Sequence, residues 1–150
     1  MGDPDPMVIK QLLTDLRDVN KDKRRTAVMK LGLAGGDEAI RALMRTVQDD
    51  YEDLIVRGRA ALMLGKLRDQ RAVDSLIRAL DAPGFQTPLN AAQALGKIGD
   101  ERAIEPLVMM AAATNDKARN AALDALTQLG YDTDRIDESE QDKPTPEISG

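Results

Sequence analysis

Three observations predict that this chain folds as an all-α, right-handed solenoid of stacked antiparallel helix pairs. The first is an internal repeat. Leu31-Gly32, Leu64-Gly65, Leu95-Gly96 and Leu126-Thr127 recur at steps of 33, 31 and 31 residues, and a fixed period near 30 marks a repeat array. The second is that neighbouring positions keep register. Ala27, Ala60, Ala91 and Ala122 stand four residues before each leucine, and Ala39, Ala72 and Ala103 stand eight after the first three. Each of those alanines is followed by Ile40, Val73 or Ile104, then by Leu43, Leu76 or Leu107. The third is that every unit divides into two helical stretches. Within 57–67, Ala60, Leu64 and Leu67 share one face, and within 72–80, Val73, Leu76, Ile77 and Leu80 do the same, which is the period of an amphipathic helix.

The elements follow in order. Val8, Ile9, Leu12 and Leu16 match Ala39, Ile40, Leu43 and Val47 at a step of 31, so the array opens with a lone second-type helix over 6–18. Repeats over 20–48, 51–81 and 82–113 come next, each a first helix and a second helix. The alanines of the first helices let neighbours approach closely. Gly36-Asp37 and Gly99-Asp100 punctuate the pairs, glycine ending one helix and aspartate capping the next. Pro106 lies near the start of a second helix and requires that helix to begin late or to kink, because proline has no amide hydrogen to donate. The stretch DAPGFQTPLN (81–90) is the turn into the third repeat. Pro83-Gly84 is a turn signal, and Thr87 and Pro88 suit the N-cap and the first helical position. A closing first helix runs over 117–129, and residues 131–150, polar, acidic and with two prolines, read as an unstructured tail.

The segment Ala94-Leu-Gly-Lys-Ile-Gly-Asp-Glu-Arg-Ala-Ile-Glu-Pro-Leu107 resembles the signature of the HEAT-like repeats named after phycobilisome lyases, and 64–76 and 31–43 are weaker copies. The resemblance covers about 7–130. It implies a ladder in which Arg24, Arg57 and Arg119, each seven residues before the aligned leucine, join acids such as Asp37, Asp69 and Asp100 between units. Pro88 stands where the third repeat's arginine would be. The resemblance also implies that an aromatic such as Phe85 covers the edge of the core. Tetratricopeptide and ankyrin arrays fit less well, since the aromatic positions of the former and the Thr-Pro-Leu-His of the latter are missing.

Composition bounds the chemistry. The 150 residues suit one domain with a real core. The chain has no cysteine and no histidine, so it offers no disulfide, thiol nucleophile, histidine-based triad or imidazole metal site. No catalytic residue, cofactor or metal site is therefore expected. Deoxyhypusine hydroxylase resembles this chain in repeat type, but its metal site uses His-Glu pairs, which excludes that activity. Asp49-Asp50 and Glu52-Asp53 read as an exposed turn without calcium-loop spacing. The N-terminus lacks a signal-peptide pattern and no long apolar run occurs, so a cytoplasmic protein without a membrane span is expected. Residues 131–150 hold seven acids against two bases, which accounts for the whole net charge of −5. The body is balanced, with the bases concentrated in 21–78. A neutral body, an acidic tail and one phenylalanine argue against nucleic acid.

The expected working surface is the exposed face of the second helices. Arg41, Asp74 and Glu105 form one equivalent column and Arg45, Arg78 and Met109 another, and in such arrays these helices are expected to line the concave side and bind a protein partner. Tyr51 and Phe85, in successive inter-repeat turns, are candidates for edge contacts. The function expected is a non-catalytic adaptor or assembly factor. The alternative is a subunit or relative of a bilin lyase acting on phycobiliproteins, and only that alternative would bring a bilin.

Overall fold

The computed structural model of the protein describes residues 3–136 other than residue 114. Among these residues the regular structure is entirely helical: α1 (Pro6–Asp15), α2 (Lys21–Ala34), α3 (Asp37–Gln48), α4 (Leu54–Leu67), α5 (Val73–Ala79), α6 (Gln86–Ile98), α7 (Ile104–Ala111) and α8 (Asp116–Gln128). Short 3-10 turns, Gln70–Ala72 and Glu101–Ala103, lead into α5 and α7. The helices form two layers of an α-solenoid. α2, α4, α6 and α8 stack in order in one layer, and α1, α3, α5 and α7 occupy the other.

The repeat columns are the core. Ala27, Ala60, Ala91 and Ala122, the four aligned leucines, Ala39, Ala72 and Ala103, and Leu43, Leu76 and Leu107 are all buried, while Val8, the counterpart of Ala39 in α1, is exposed. Each unit hides one stripe of each helix against the next unit, the arrangement that lets a repeat stack bury a continuous core. Ends are set locally. Asp5 caps α1 by accepting from the Met7 amide at 2.9 Å, with Pro6 at the first helical position, where its missing donor costs nothing. Asp53 caps α4 through the Ile55 and Val56 amides. Gly99, at φ 77°, ends α6, and Asp100 caps the turn that follows. In the first repeat, however, Gly35 and Gly36 take the two flanking positions and Asp37 is the first helical residue, so it caps nothing. Pro106 is accommodated because α7 begins only at Ile104, which leaves the proline in the first turn.

The two layers differ in spacing. A Cβ on Gly65 would lie 2.9 Å from the Ala94 Cα, and one on Gly96 would lie 3.0 Å from the Ala125 Cα, so the backbones of α4, α6 and α8 nearly touch. α5 and α7, by contrast, stand apart. The physical reason is residue size: alanine and glycine pack the first helices, while the second helices meet through long polar side chains such as Gln48 and Arg78.

The tail also departs from expectation at its start. The Tyr131 amide donates to the Leu126 carbonyl at 2.9 Å, and Tyr131 and Ile136 rest against the core. The rest of the acidic tail lies outside the described residues.

Candidate functional site: the second-helix face and its junctions

Arg41, Arg45, Asp74, Arg78, Glu105 and Met109 are all exposed, at equivalent positions on α3, α5 and α7. Arg41 pairs with Asp37 at 3.0 Å and Asp74 with Arg102 at 3.5 Å. Arg78 donates to the Gln48 carboxamide at 3.2 Å. Arg45 and Glu105 make no side-chain hydrogen bond or ion pair among the described residues, and Met109 is 73% exposed. Tyr51 is fully exposed and Phe85 is 61% exposed. Phe85 covers the core edge only in part and carries Lys117 Nζ 5.8 Å above its ring.

The acids Asp37, Asp69 and Asp100 are met by Arg71 and Arg102, not by the arginines seven residues before the leucine. Asp37 pairs with Arg71 and Asp74 with Arg102, while Asp69 and Asp100 hold the same two arginines within their own turns at 2.9 Å. Hydrogen bonds from Arg71 and Arg102 hold the Asp69 and Asp100 carboxyls below the usual carboxylate range, and those carboxylates raise both guanidinium groups above the ordinary arginine range. Distance explains the difference. Arg57 sits near the start of a first helix and Asp37, Asp69 and Asp100 follow the ends of such helices, about 15 Å away at 1.5 Å per residue. The signal for the true partners was the Asp-x-Arg-Ala run at 69–72 and 100–103.

Arg24 and Arg57 cross between units elsewhere, Arg24 at the turn that follows α1 and Arg57 at the end of α3. Arg24 Nη1 donates to the Asp18 and Val19 carbonyls at 2.7 and 3.1 Å, and its guanidinium pairs with Glu52. Arg57, 4% exposed, directs Nε and Nη2 to the Val47 carbonyl at 3.2 and 3.1 Å, with Asp50 3.7 Å away. A cation at a helix C-terminus is favourably placed. Arg119 is exposed and makes no such bond among the described residues. Pro88, in the third repeat, has nothing to donate. A second pair that sequence reading missed, Arg25 with Asp53, forms at 2.9 and 3.0 Å. It holds the Asp53 carboxyl at about 2.

The start of α6 also differs from expectation. The helix begins at Gln86, so Thr87 is internal and buried rather than capping, and its Oγ1 has no partner. Packing on Gly58 is the cause: Asn90 donates to the Gly58 carbonyl at 2.8 Å and Gln86 to Asn90 at 2.8 Å, which draws the first turn against α4.

These details shape two equivalent cavities. At the α3/α5 junction a space of about 310 Å³ is bordered by Val47, Gln48, Arg57 and Arg78. One repeat later the counterparts Leu80, Asp81, Pro88 and Met109, with Phe85 and Met110, border about 770 Å³. Among the described residues no group of three or more acidic side chains is placed to hold a metal ion, and no helix is long and apolar enough to cross a membrane.

A two-layer stack of short helix pairs with a solvent-facing strip of mixed charge is the mark of the repeat-solenoid class of proteins. This chain belongs to the HEAT-repeat family, whose model matches residues 8–87 and 52–127. Among solved structures it is similar to the complex of CpcE and CpcF of phycocyanin lyase from Nostoc sp. PCC7120, at 25% identity and a TM-score of 0.73, over 92% of this chain and 59% of that one. It is similar to human deoxyhypusine hydroxylase in complex with glycerol, at 25% identity and a TM-score of 0.71, over 81% of this chain and 43% of that one. A designed armadillo repeat protein shares the fold at 16% identity and a TM-score of 0.58, over 89% of this chain and 69% of that one. The chain thus spans less than two thirds of the first two. No curated protein sequence matches it.

Proposed function

We propose that the protein is a non-catalytic adaptor or assembly factor that holds a protein partner against the exposed face of α3, α5 and α7. The observation that carries this reading is that Arg45, Arg78 and Met109 are exposed at equivalent positions on successive second helices, with Met109 at the border of the 770 Å³ opening. Arginine and methionine are the side chains that protein interfaces favour, and methionine adapts its shape to what it meets. The basic residues ask for acids on the partner, and Met109 for an apolar anchor. The absence of cysteine from the sequence suits a cytoplasmic setting.

The reading is tested by affinity capture from native lysate with quantitative mass spectrometry, comparing the wild type with Arg45→Glu plus Arg78→Glu. Reversing two interface charges is expected to lower partner recovery by about tenfold. Recovery that is unchanged removes this face from the proposal. A second reading, a relative of a bilin lyase subunit, is favoured by the likeness to the CpcE and CpcF complex. It predicts a visible absorbance change when bilin is added, alone or with a phycobiliprotein, and the adaptor reading predicts none.

A further inference from the structure

Building on that reading, we propose that the cavity at the α5/α7 junction is a socket for an arginine side chain, flanked by apolar residues, on the partner protein. The preceding junction is the reference. There Gln48 bonds Ser75 and Arg78, and Arg57 caps the Val47 carbonyl. One repeat on, Gln48 is replaced by Asp81, Ser75 by Pro106, Arg78 by Met109 and Arg57 by Pro88. Neither proline nor methionine can donate to a carboxylate. The Asp81 carboxylate is consequently without a hydrogen bond or ion pair among the described residues. Among the described residues the Leu80 carbonyl, counterpart of Val47's, receives no donor, and Glu105 stands unpaired on the rim. The space grows from about 310 to about 770 Å³.

The groups that lose a donor relative to the preceding junction are acceptors, on a lining that also holds Arg102, Asn115 and Lys117, and the Leu80 carbonyl lies at the negative end of α5. An arginine matches that set. Its guanidinium brings five donors and no acceptor, its plane stacks on an aromatic such as Phe85, and its aliphatic stem packs along Met109 and Pro88. An acidic occupant would face two unpaired carboxylates. The cations nearby do not reverse this: Arg102 is held by Asp100 at 2.9 Å and Asp74 at 3.5 Å, and only Lys117, above the Phe85 ring, is without a carboxylate partner. The partner thus supplies in trans the guanidinium that the chain supplies to the earlier junction through Arg57.

The test is a titration of the full chain, labelled with ¹³C at the methionine methyls, with short synthetic peptides carrying Leu-Arg-Leu, Leu-Gln-Leu or Leu-Glu-Leu. The arginine peptide is expected to shift the Met109 and Met110 signals saturably and to bind about tenfold tighter than the glutamine peptide, the glutamate peptide binding weakest. Asp81→Asn with Glu105→Gln should bring arginine and glutamine within about twofold of each other. Pro88→Arg and, independently, Met109→Arg at an exposed position should fill the socket in cis and abolish the Met110 shift, so misfolding of the proline variant leaves the second to decide. Equal binding of the arginine and glutamine peptides, preference for glutamate, no shift at either methionine, or full binding to folded Met109→Arg overturns the socket. Partner capture that depends on Arg45 and Arg78 while the peptides fail leaves the adaptor reading standing without it; arginine-selective binding with charge-insensitive capture does the reverse.

Discussion

The α3/α5 and α5/α7 junctions are successive copies of one construction, and four of the side chains that differ between them carry the polar closure of the first. Upstream, Gln48, Arg57, Ser75 and Arg78 tie the second helices together and close the end of α3. Downstream, Asp81, Pro88, Pro106 and Met109 leave the same space open. The first-helix layer behind it stays tight, with α4, α6 and α8 in near-backbone contact. A repeat stack can therefore give up the polar closure of one junction without losing the layer that holds the array together. Close packing and the open cavity are carried by different layers.

The comparison can be broken most directly by opening the closed junction. Arg57→Ala removes the donors to the Val47 carbonyl and a buried aliphatic stem, and should cost about 2–3 kcal/mol in chemical denaturation. A loss below about 0.5 kcal/mol would mean that the arginine does not distinguish the two junctions. Native-state hydrogen exchange compares them without mutation. Amides over 81–92 should be about tenfold less protected than those over 50–61 or 112–123, as expected where fewer polar contacts hold a turn. Equal protection would show that the open cavity carries no local weakness.

A smaller effect concerns the Arg25–Asp53 pair, which supports the upstream side and has only Gly58 and Gly84 as its counterparts. Asp53→Asn keeps a capping side chain and removes the charge, so it should cost about 1 kcal/mol near neutral pH. The folded Asp53 carboxyl lies at about 2, below its ordinary 3.8. Its contribution is thus complete above 3.8 and is lost as pH falls through about 2. The Tm values of the wild type and the variant should converge across that window, and a gap that persists below it would assign the effect to something other than charge. The smallest effect is at Arg68, which ends α4 with φ 53°, where Gly99 ends α6 at φ 77°. Arg68→Gly should stabilise by about 0.5 kcal/mol by relieving the left-handed strain of a side-chain-bearing residue.

Much of the fold was legible because the core is periodic. The alanine and leucine columns repeat at nearly constant steps, and every one of them is buried. Turn chemistry was readable at Gly99-Asp100, where local hydrogen bonding decides the outcome, and less so at Thr87, where packing on Gly58 overrode a good capping residue. The candidate face was legible as a set of exposed positions. The cavities beside it were not, since they depend on which side chains meet between repeats. The ladder was misread because register identifies equivalent residues without saying which end of a helix faces which. Arg71 and Arg102 meet Asp37 and Asp74 across the stack, while Arg57 lies about a helix length away.

The sequence by itself determined that this is a two-layer helical repeat array, which residues form its core, and that histidine and cysteine chemistry is absent. Those properties follow from periodicity and composition, which act locally and repeat by repeat. Only the tertiary structure decided how closely the first helices stack, which acids the arginines meet, and that a wider cavity lies beside Pro88 than beside Arg57. Each of those depends on distances between residues some 30 positions apart, and the packing of whole helices sets such distances.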